Sequence, residues 1–208
     1  MKTLKKATFF LSFTLLLFSC KKYVIPPSIT LNGNYVENAE LNASYIELGA
    51  TAQDYKENDI SSDITISNTI DENLVGSYMV QYNVSDKKGH DAVPVERVVN
   101  VRNSADYLDG FYSVSYVVVT GTTTNFTSTT IDEIATSNTI NNRFYVQNPA
   151  AFYATVSGNV VTVPLQGDIS SGTLQGTGSV DANGNILLDV DFTSSNDSYT
   201  FSMQYDKH

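Results

Sequence analysis

The chain carries few groups that can do covalent chemistry. Among 208 residues there is one cysteine, Cys20, two histidines, His90 and His208, and no tryptophan. A serine or cysteine nucleophile needs a base within hydrogen-bond reach and a third group that orients the base. With His90 in a Lys-Gly turn and His208 the last residue, no such triad is legible. Zinc sites fail for want of the same side chains, and no G-x-x-x-x-G-K-S/T loop is present to cradle phosphates. Carboxylates remain. Glycosidases work with two acids at a suitable separation, and the candidates are Asp132-Glu133 and the pair Asp189 and Asp191. Acids that are adjacent, or on one strand of an acidic protein, also read as solvated surface. Asp54 and Asp86, with Asp59 or a backbone carbonyl, form a candidate calcium site, against the reading in which both accept backbone N–H bonds in turns. The expectation is a protein that is not an enzyme, with no catalytic residue and no cofactor other than calcium at Asp54 and Asp86.

The lone thiol has a better use. Lys2, Lys5 and Lys6 precede an uncharged run from Ala7 to Phe18, the basic and apolar regions of a secretory signal. As a helix those twelve residues would be about 18 Å long, short of the ~30 Å bilayer core. The run targets and does not span. Leu17-Phe18-Ser19-Cys20 resembles the lipobox of bacterial lipoproteins. That resemblance implies cleavage after residue 19 and a lipid on Cys20, where each buried methylene would add ~0.8 kcal/mol. The plain alternative is an ordinary signal peptide with a leftover thiol. Residues 20–27 then read as a lipidated tether, since Pro26 and Pro27 withhold two donors and favour extended chain. In some Gram-negative lipoproteins, acids just after the cysteine direct the protein outward; Lys21-Lys22-Tyr23 lacks them, which leaves the face of the membrane open.

Without residues 1–19 the chain holds 9 basic against 22 acidic side chains, a formal charge of −13. Such a surface repels phosphate backbones, so nucleic acid is excluded as a partner. No disulfide can form within the chain, and an exported domain of this kind must be held by its own core.

The elements that position these groups are strands. From 28 to 102, short apolar runs alternate with turn signals. In the clearest, Tyr78, Val80, Tyr82 and Val84 share one face and Met79, Gln81 and Asn83 the other, as in a half-buried strand. The parity breaks at Val98-Val99, which predicts a bulge. Pro27-Ser28-Ile29-Thr30-Leu31, then G-A-T-A-Q-D at 49–54, then G-S-Y-M-V-Q-Y-N-V-S-D-K-K-G at 76–89 resemble the bacterial Ig-like domain of insecticidal crystal toxins and surface proteins. The resemblance implies a β-sandwich that serves as a spacer or display module, with no catalytic residues. His90 stands where that family usually has asparagine.

After residue 103, Thr, Ser, Asn and Gly dominate and the alternation strengthens. Tyr112, Val114, Tyr116 and Val118 share a face; Ile186, Leu188, Val190 and Phe192 oppose Leu187, Asp189 and Asp191; Tyr199, Phe201, Met203 and Tyr205 oppose Thr200, Ser202 and Gln204. Further strands are predicted near 123–131, 142–146, 152–156, 160–165 and 172–180, with hairpin turns at Gly158-Asn159 and Asn183-Gly184. An antiparallel meander of eight strands loses its edges by closing into a barrel. Asp109-Gly110-Phe111-Tyr112 and the final N-G-N-I-L-L-D-V-D-F and S-Y-T-F-S-M-Q-Y strands resemble the calycin-like barrels of small Gram-negative lipoproteins. The inward candidates Tyr112, Tyr116, Phe152, Tyr199, Phe201 and Tyr205 either fill the interior or leave room for one small ligand.

The expected chain is thus all-β: a signal peptide (1–19), a lipidated tether (20–27), an Ig-like β-sandwich (28–102) and a calycin-like barrel (107–208). Two functions fit. One is a non-enzymatic outer-membrane lipoprotein whose stalk presents the barrel for ligand binding, as a glycan or nutrient-uptake accessory. The other is a structural or adhesive envelope protein that binds another protein. The sequence leaves the partner and oligomeric state open.

Overall fold

A computed structural model of the chain describes residues 24–168 and 172–208. The expected leader and Cys20 lie outside them. The architecture is all-β. Strands β1 (Ser28–Leu31) and β3 (Ala50–Gln53) pair antiparallel as one small sheet. Opposite it lies a four-stranded sheet in the order β2 (Val36–Glu40), β6 (Val95–Arg102), β5 (Gly76–Asn83), β4 (Thr65–Asn68), in which β2 runs parallel to β6. Val80, Tyr82 and Val99 are fully buried between the sheets, against Ile29, Leu31, Tyr45 and Ile64.

The bulge expected at Val98-Val99 is absent: β5 and β6 pair in unbroken register from Gly76↔Val101 to Tyr82↔Val95. The parity is restored because Arg97, Val99 and Val101 all point inward. An arginine on the core face is what the sequence pattern disguised. Arg97 is 0% exposed. Its guanidinium pairs with Glu47 and donates to the carbonyls of Asn32, Gly49 (3.4 Å) and, through Nε, Asn34 (3.1 Å). Tyr82 donates its hydroxyl to the same Glu47 carboxylate. One side chain thereby ties two loops, 32–34 and 47–49, to the sheet.

The remaining strands, β7 (Gly110–Thr120), β8 (Thr123–Thr136), β9 (Arg143–Val146), β10 (Phe152–Ser157), β11 (Val160–Asp168), β12 (Gly172–Val180), β13 (Ile186–Thr193) and β14 (Ser198–Lys207), form a closed antiparallel barrel. It is a meander whose last strand pairs with its first, from Thr200↔Val119 to Lys207↔Tyr112. β8 runs five residues further than the pattern predicted. Its extension carries Asp132, which points inward where a solvated acid was the plain expectation. Gly176 and Gly178 face inward on β12, where an added β-carbon would collide with the carbonyl oxygens of Asp189 and Leu187. Only glycine permits β12 and β13 to coil this tightly around the barrel.

The near end of the barrel is sealed. Leu108, from the short 3₁₀ turn at Asp106–Leu108, packs with Tyr112, Ile134, Phe144, Ile186 and Tyr205, each at most 1% exposed. Burial drives the Tyr112 and Tyr205 hydroxyls far above the ordinary tyrosine range, and both donate to carbonyls, of Leu108 and Asn148, at 2.8 Å. At the same end Asn103 joins the two modules. Its amide donates to the carbonyls of Ser137 (2.7 Å), Ile140 (3.1 Å) and Arg143 (3.3 Å) and accepts from the N–H groups of Ala105 and Asn142. The loop between β8 and β9 then docks on the sandwich: Val75 N–H donates to Asn138 O (2.8 Å), Asn42 Nδ2 to Thr139 O (3.1 Å), and Asn141 to Glu40 (2.6 Å).

Replacing Arg97 by alanine strips Glu47 and three carbonyls of their donor. Breaking one half of a buried pair costs about 3–5 kcal/mol, expected as a lower urea midpoint of the soluble chain. The double change Arg97→Met with Glu47→Leu is expected to recover most of that loss. An Arg97→Ala chain as stable as the parent would remove the pair from its structural role.

Candidate functional site

The carboxylates singled out in the sequence divide by what they bond. Asp54 Oδ1 accepts the N–H groups of Lys56 (2.8 Å) and Asn58 (3.0 Å), while Oδ2 accepts the Asn58 side chain (2.9 Å). Asp86 repeats the arrangement with Lys88 (2.8 Å), His90 N–H (3.0 Å) and His90 Nδ1 (2.8 Å). The two turns meet: Lys88 donates to the Tyr55 hydroxyl (3.1 Å), and Ala52, Ile60, Val84 and Ala92 pack together beneath them. Lys88 is held more firmly protonated by that bond and by the charges of Asp86 and Asp54. Asp59 is occupied by Ser61. Among the described residues no group of three or more His, Cys, Asp or Glu side chains is placed to hold a metal ion.

The two carboxylate pairs considered for catalysis are not equivalent. Asp132 is buried and accepts Gln147 N–H (3.1 Å), while Glu133 is exposed on the opposite face of β8. Strand alternation drives them apart. Asp189 and Asp191 both point out from β13, roughly 7 Å apart at two residues' rise, and both line one hollow of about 330 Å³. They stand side by side on a single wall. Glycosidase carboxylates flank the scissile bond from different sides, an arrangement these two do not make. The histidines are structural: His90 completes its turn, and His208 Nε2 lies 2.9 Å from Ser113 Oγ on the exposed wall, where His208 N–H also donates to Phe111 O.

The inward tyrosines and phenylalanines are where the alternation put them. Tyr112, Phe152 and Tyr205 are buried, and Tyr116, Tyr199 and Phe201 are partly buried toward the far mouth. There Phe192 and Tyr199 stack at 4.8 Å and Tyr199 meets Phe201 edge-on at 5.3 Å.

The largest described hollow lies on the outer wall. It measures about 610 Å³ and crosses β8, β7, β14, β13 and β12. The registers arrange its outward side chains as two rungs. One runs Thr177, Asp189, Ser202, Val117, Thr127; the other runs Ser179, Leu187, Gln204, Ser115 and continues to Thr129 beyond the hollow. At a strand spacing of about 4.8 Å, five strands span about 19 Å. Asp189 and Thr177 also line the 330 Å³ hollow, so the two are continuous. The sequence reading missed this surface because single serines and threonines on a polar strand face look like solvated positions. Only the pairing of residues 115–129 with 177–204 makes them a set.

The family described as bacterial surface protein, Ig-like domain, matches residues 29–101. No curated protein matches the chain. Among solved structures the chain is similar to a lipoprotein of Bacteroides thetaiotaomicron at 16% identity and TM-score 0.36, over 88% of this chain and 100% of that one. It is also similar to the CBM51-2 and INT domains of Clostridium perfringens ZmpB, in complex with GlcNAc, at 16% identity and TM-score 0.30, over 87% of this chain and 44% of that one.

The Asp86 turn carries a pH signature. Hydrogen bonds from His90 N–H and from its ring lower the Asp86 carboxyl from 3.8 to about 2. A carboxyl depressed in the folded state stabilises above its unfolded value and loses that contribution as pH falls through its folded one. Between pH 3.8 and about 2, the melting temperature of the parent is expected to fall more steeply than that of Asp86→Asn. Calcium chelation at neutral pH is expected to leave the melting temperature unchanged; a drop would return Asp54 and Asp86 to metal binding.

Proposed function

We propose that the chain is a non-enzymatic lipoprotein of the bacterial cell envelope, held at the outer membrane through Cys20. In it the Ig-like domain serves as a stalk and the calycin-like barrel carries a ligand-binding wall. Its role is that of an accessory in glycan or nutrient capture. The observation that carries this reading is the outer hollow of about 610 Å³, built from five strands and lined by Ser, Thr, Gln and Asp side chains interspersed with Val117 and Leu187. A barrel sealed at its near end by Leu108, Tyr112 and Tyr205 presents that wall as its accessible surface. The surface-protein Ig-like match at 29–101 supports an envelope location, as does the position of the lone cysteine behind a Lys-flanked apolar run.

The polar joint supports the stalk assignment. Inter-domain contacts of this kind, centred on Asn103, fix the direction in which the barrel is held. A second reading, adhesion to another envelope protein, is favoured by a row of apolar side chains on the outer face of the sandwich. Val36, Val98 and Met79 are cross-strand neighbours there, and Val36 and Met79 are 47% and 45% exposed.

Labelled palmitate is expected to enter the parent chain in cells and not Cys20→Ser, which should move to the soluble fraction. Retention of Cys20→Ser in the membrane would remove the anchor from this reading. For the wall, Ser202→Arg places a long cation in the centre of the hollow and is expected to abolish ligand retention by cells displaying the protein. Unchanged retention with Ser202→Arg would leave the wall without a role.

A further inference from the structure

We infer that the outer hollow is a subsite array for a linear, neutral polyhydroxylated chain, an uncharged oligosaccharide lying across the strands, with Asp189 as its carboxylate acceptor. This rests on the reading of the barrel wall as a binding surface and names what that surface takes.

The state of the side chains in the hollow makes the first argument. Among the described residues, the hydroxyls of Ser115, Thr127, Thr177, Ser179 and Ser202 and the carboxylate of Asp189 have no side-chain hydrogen-bond partner. Two other polar groups of this wall have partners: Thr200 donates to Asp191 (2.7 Å), and Gln204, at the edge of the hollow, donates to Asp206 (2.9 Å). Each serine or threonine hydroxyl offers one donor and two acceptor positions, and a carboxylate is acceptor-only. The set thus matches a ligand that both donates and accepts along its length, and Asp189 supplies one strong acceptor for two neighbouring hydroxyls.

Spacing makes the second argument. Both rungs cross five strands, so their polar groups recur at the strand spacing, about 4.8 Å. Within a strand, Asp189 and Leu187, or Ser202 and Gln204, are separated by about 7 Å. A chain laid in the hollow passes between two parallel rows of hydrogen-bonding groups, with Val117 and Leu187 offering aliphatic contact to its C–H faces. A repeating polyol presents groups in that way along its whole length.

Exclusion makes the third. Among the described lining residues of the two joined hollows there is no cation, and the charged groups are Asp189 and Asp191. Phosphorylated, sulfated or uronic chains would meet like charge without a compensating partner. A peptide captured as an added strand needs a free sheet edge, and the closed barrel offers none at this wall.

The test uses the soluble chain beginning at Lys21 and titrates it calorimetrically with linear gluco-, manno- and xylo-oligosaccharides and with a uronic oligosaccharide of equal length. Binding of at least one neutral series is expected, weakened tenfold or more by Asp189→Ala and by Ser202→Ala, with Glu133→Gln, on the wall outside the hollow, binding like the parent. Melting temperatures within a degree or two of the parent would assign the loss to the site and not to folding. Tighter binding of the uronic chain, affinity unmoved by Asp189→Ala, or no binding of any neutral series would overturn the inference. In that last case the Ser202→Arg retention experiment still decides whether the wall binds something else, so the two readings fail separately.

Discussion

The ladder between β14 and β7 is the contact on which the rest of the barrel depends. It joins the chain's last strand to the barrel's first, from Thr200↔Val119 to Lys207↔Tyr112. With that ladder made, every strand has two neighbours and no edge is left to recruit another chain. The same closure sorts the side chains into an inward set, led by Tyr112, Val114, Met203 and Tyr205, and an outward set. It also creates the outer hollow, because Ser115 and Val117 meet Gln204 and Ser202 only across this seam. One hydrogen-bonded junction therefore supplies both the core and the candidate site.

The barrel's orientation is controlled from a second centre. Asn103 stands 2% exposed between the modules, and its amide satisfies three carbonyls and two N–H groups of the connecting segment and of the β8–β9 loop. That loop reaches back to Asn42 and Glu40, and Glu40's carboxyl is held below its usual range by Ser104 and Asn141. A buried amide with every group engaged is stabilising, while one partly engaged is costly. Hydrogen bonds of defined direction hold a joint in one geometry, which apolar contact alone would not. Such a joint passes the direction of the sandwich to the barrel wall.

Much of this was legible in the sequence, and what was missed has a common cause. Period-two alternation gave every barrel strand and the right face for Tyr112, Leu188 and Phe201, because one face of each is wet and the other dry. The same rule failed where a polar residue takes a core position. Arg97 counted as an outward residue produced a false bulge at Val98, and Asp132 counted as outward cut β8 short. Each points inward because a partner waits there, Glu47 for Arg97 and Gln147 N–H for Asp132. Such partners lie 50 and 15 residues away, beyond the reach of local pattern. The candidate site was invisible for a related reason: its outward members sit on five strands, and no single strand holds more than two of them.

The aspartates show how an acidic chain can still single out one carboxylate. The segments D-Y-K-E-N, D-K-K-G-H and D-A-N-G-N share one construction, at 54–58, 86–90 and 181–185. In each, the aspartate Oδ1 accepts the N–H groups of the second and fourth residues after it. Its Oδ2 meets the side chain of the fourth. The third takes a positive φ: Glu57 at 61°, Gly89 at 79° and Gly184 at 86°. These carboxylates are turn-builders, and internal N–H donors lower the affinity of each for a proton. Asp132 is likewise taken by a loop N–H, and Asp191 by Thr200. Asp189 differs in having no donor among the described residues while lining both hollows. Where the turn carboxylates of Asp54, Asp86 and Asp181 and the strand carboxylates of Asp132 and Asp191 are met by internal donors, an outward carboxylate amid five unengaged hydroxyls is the acceptor left for a ligand.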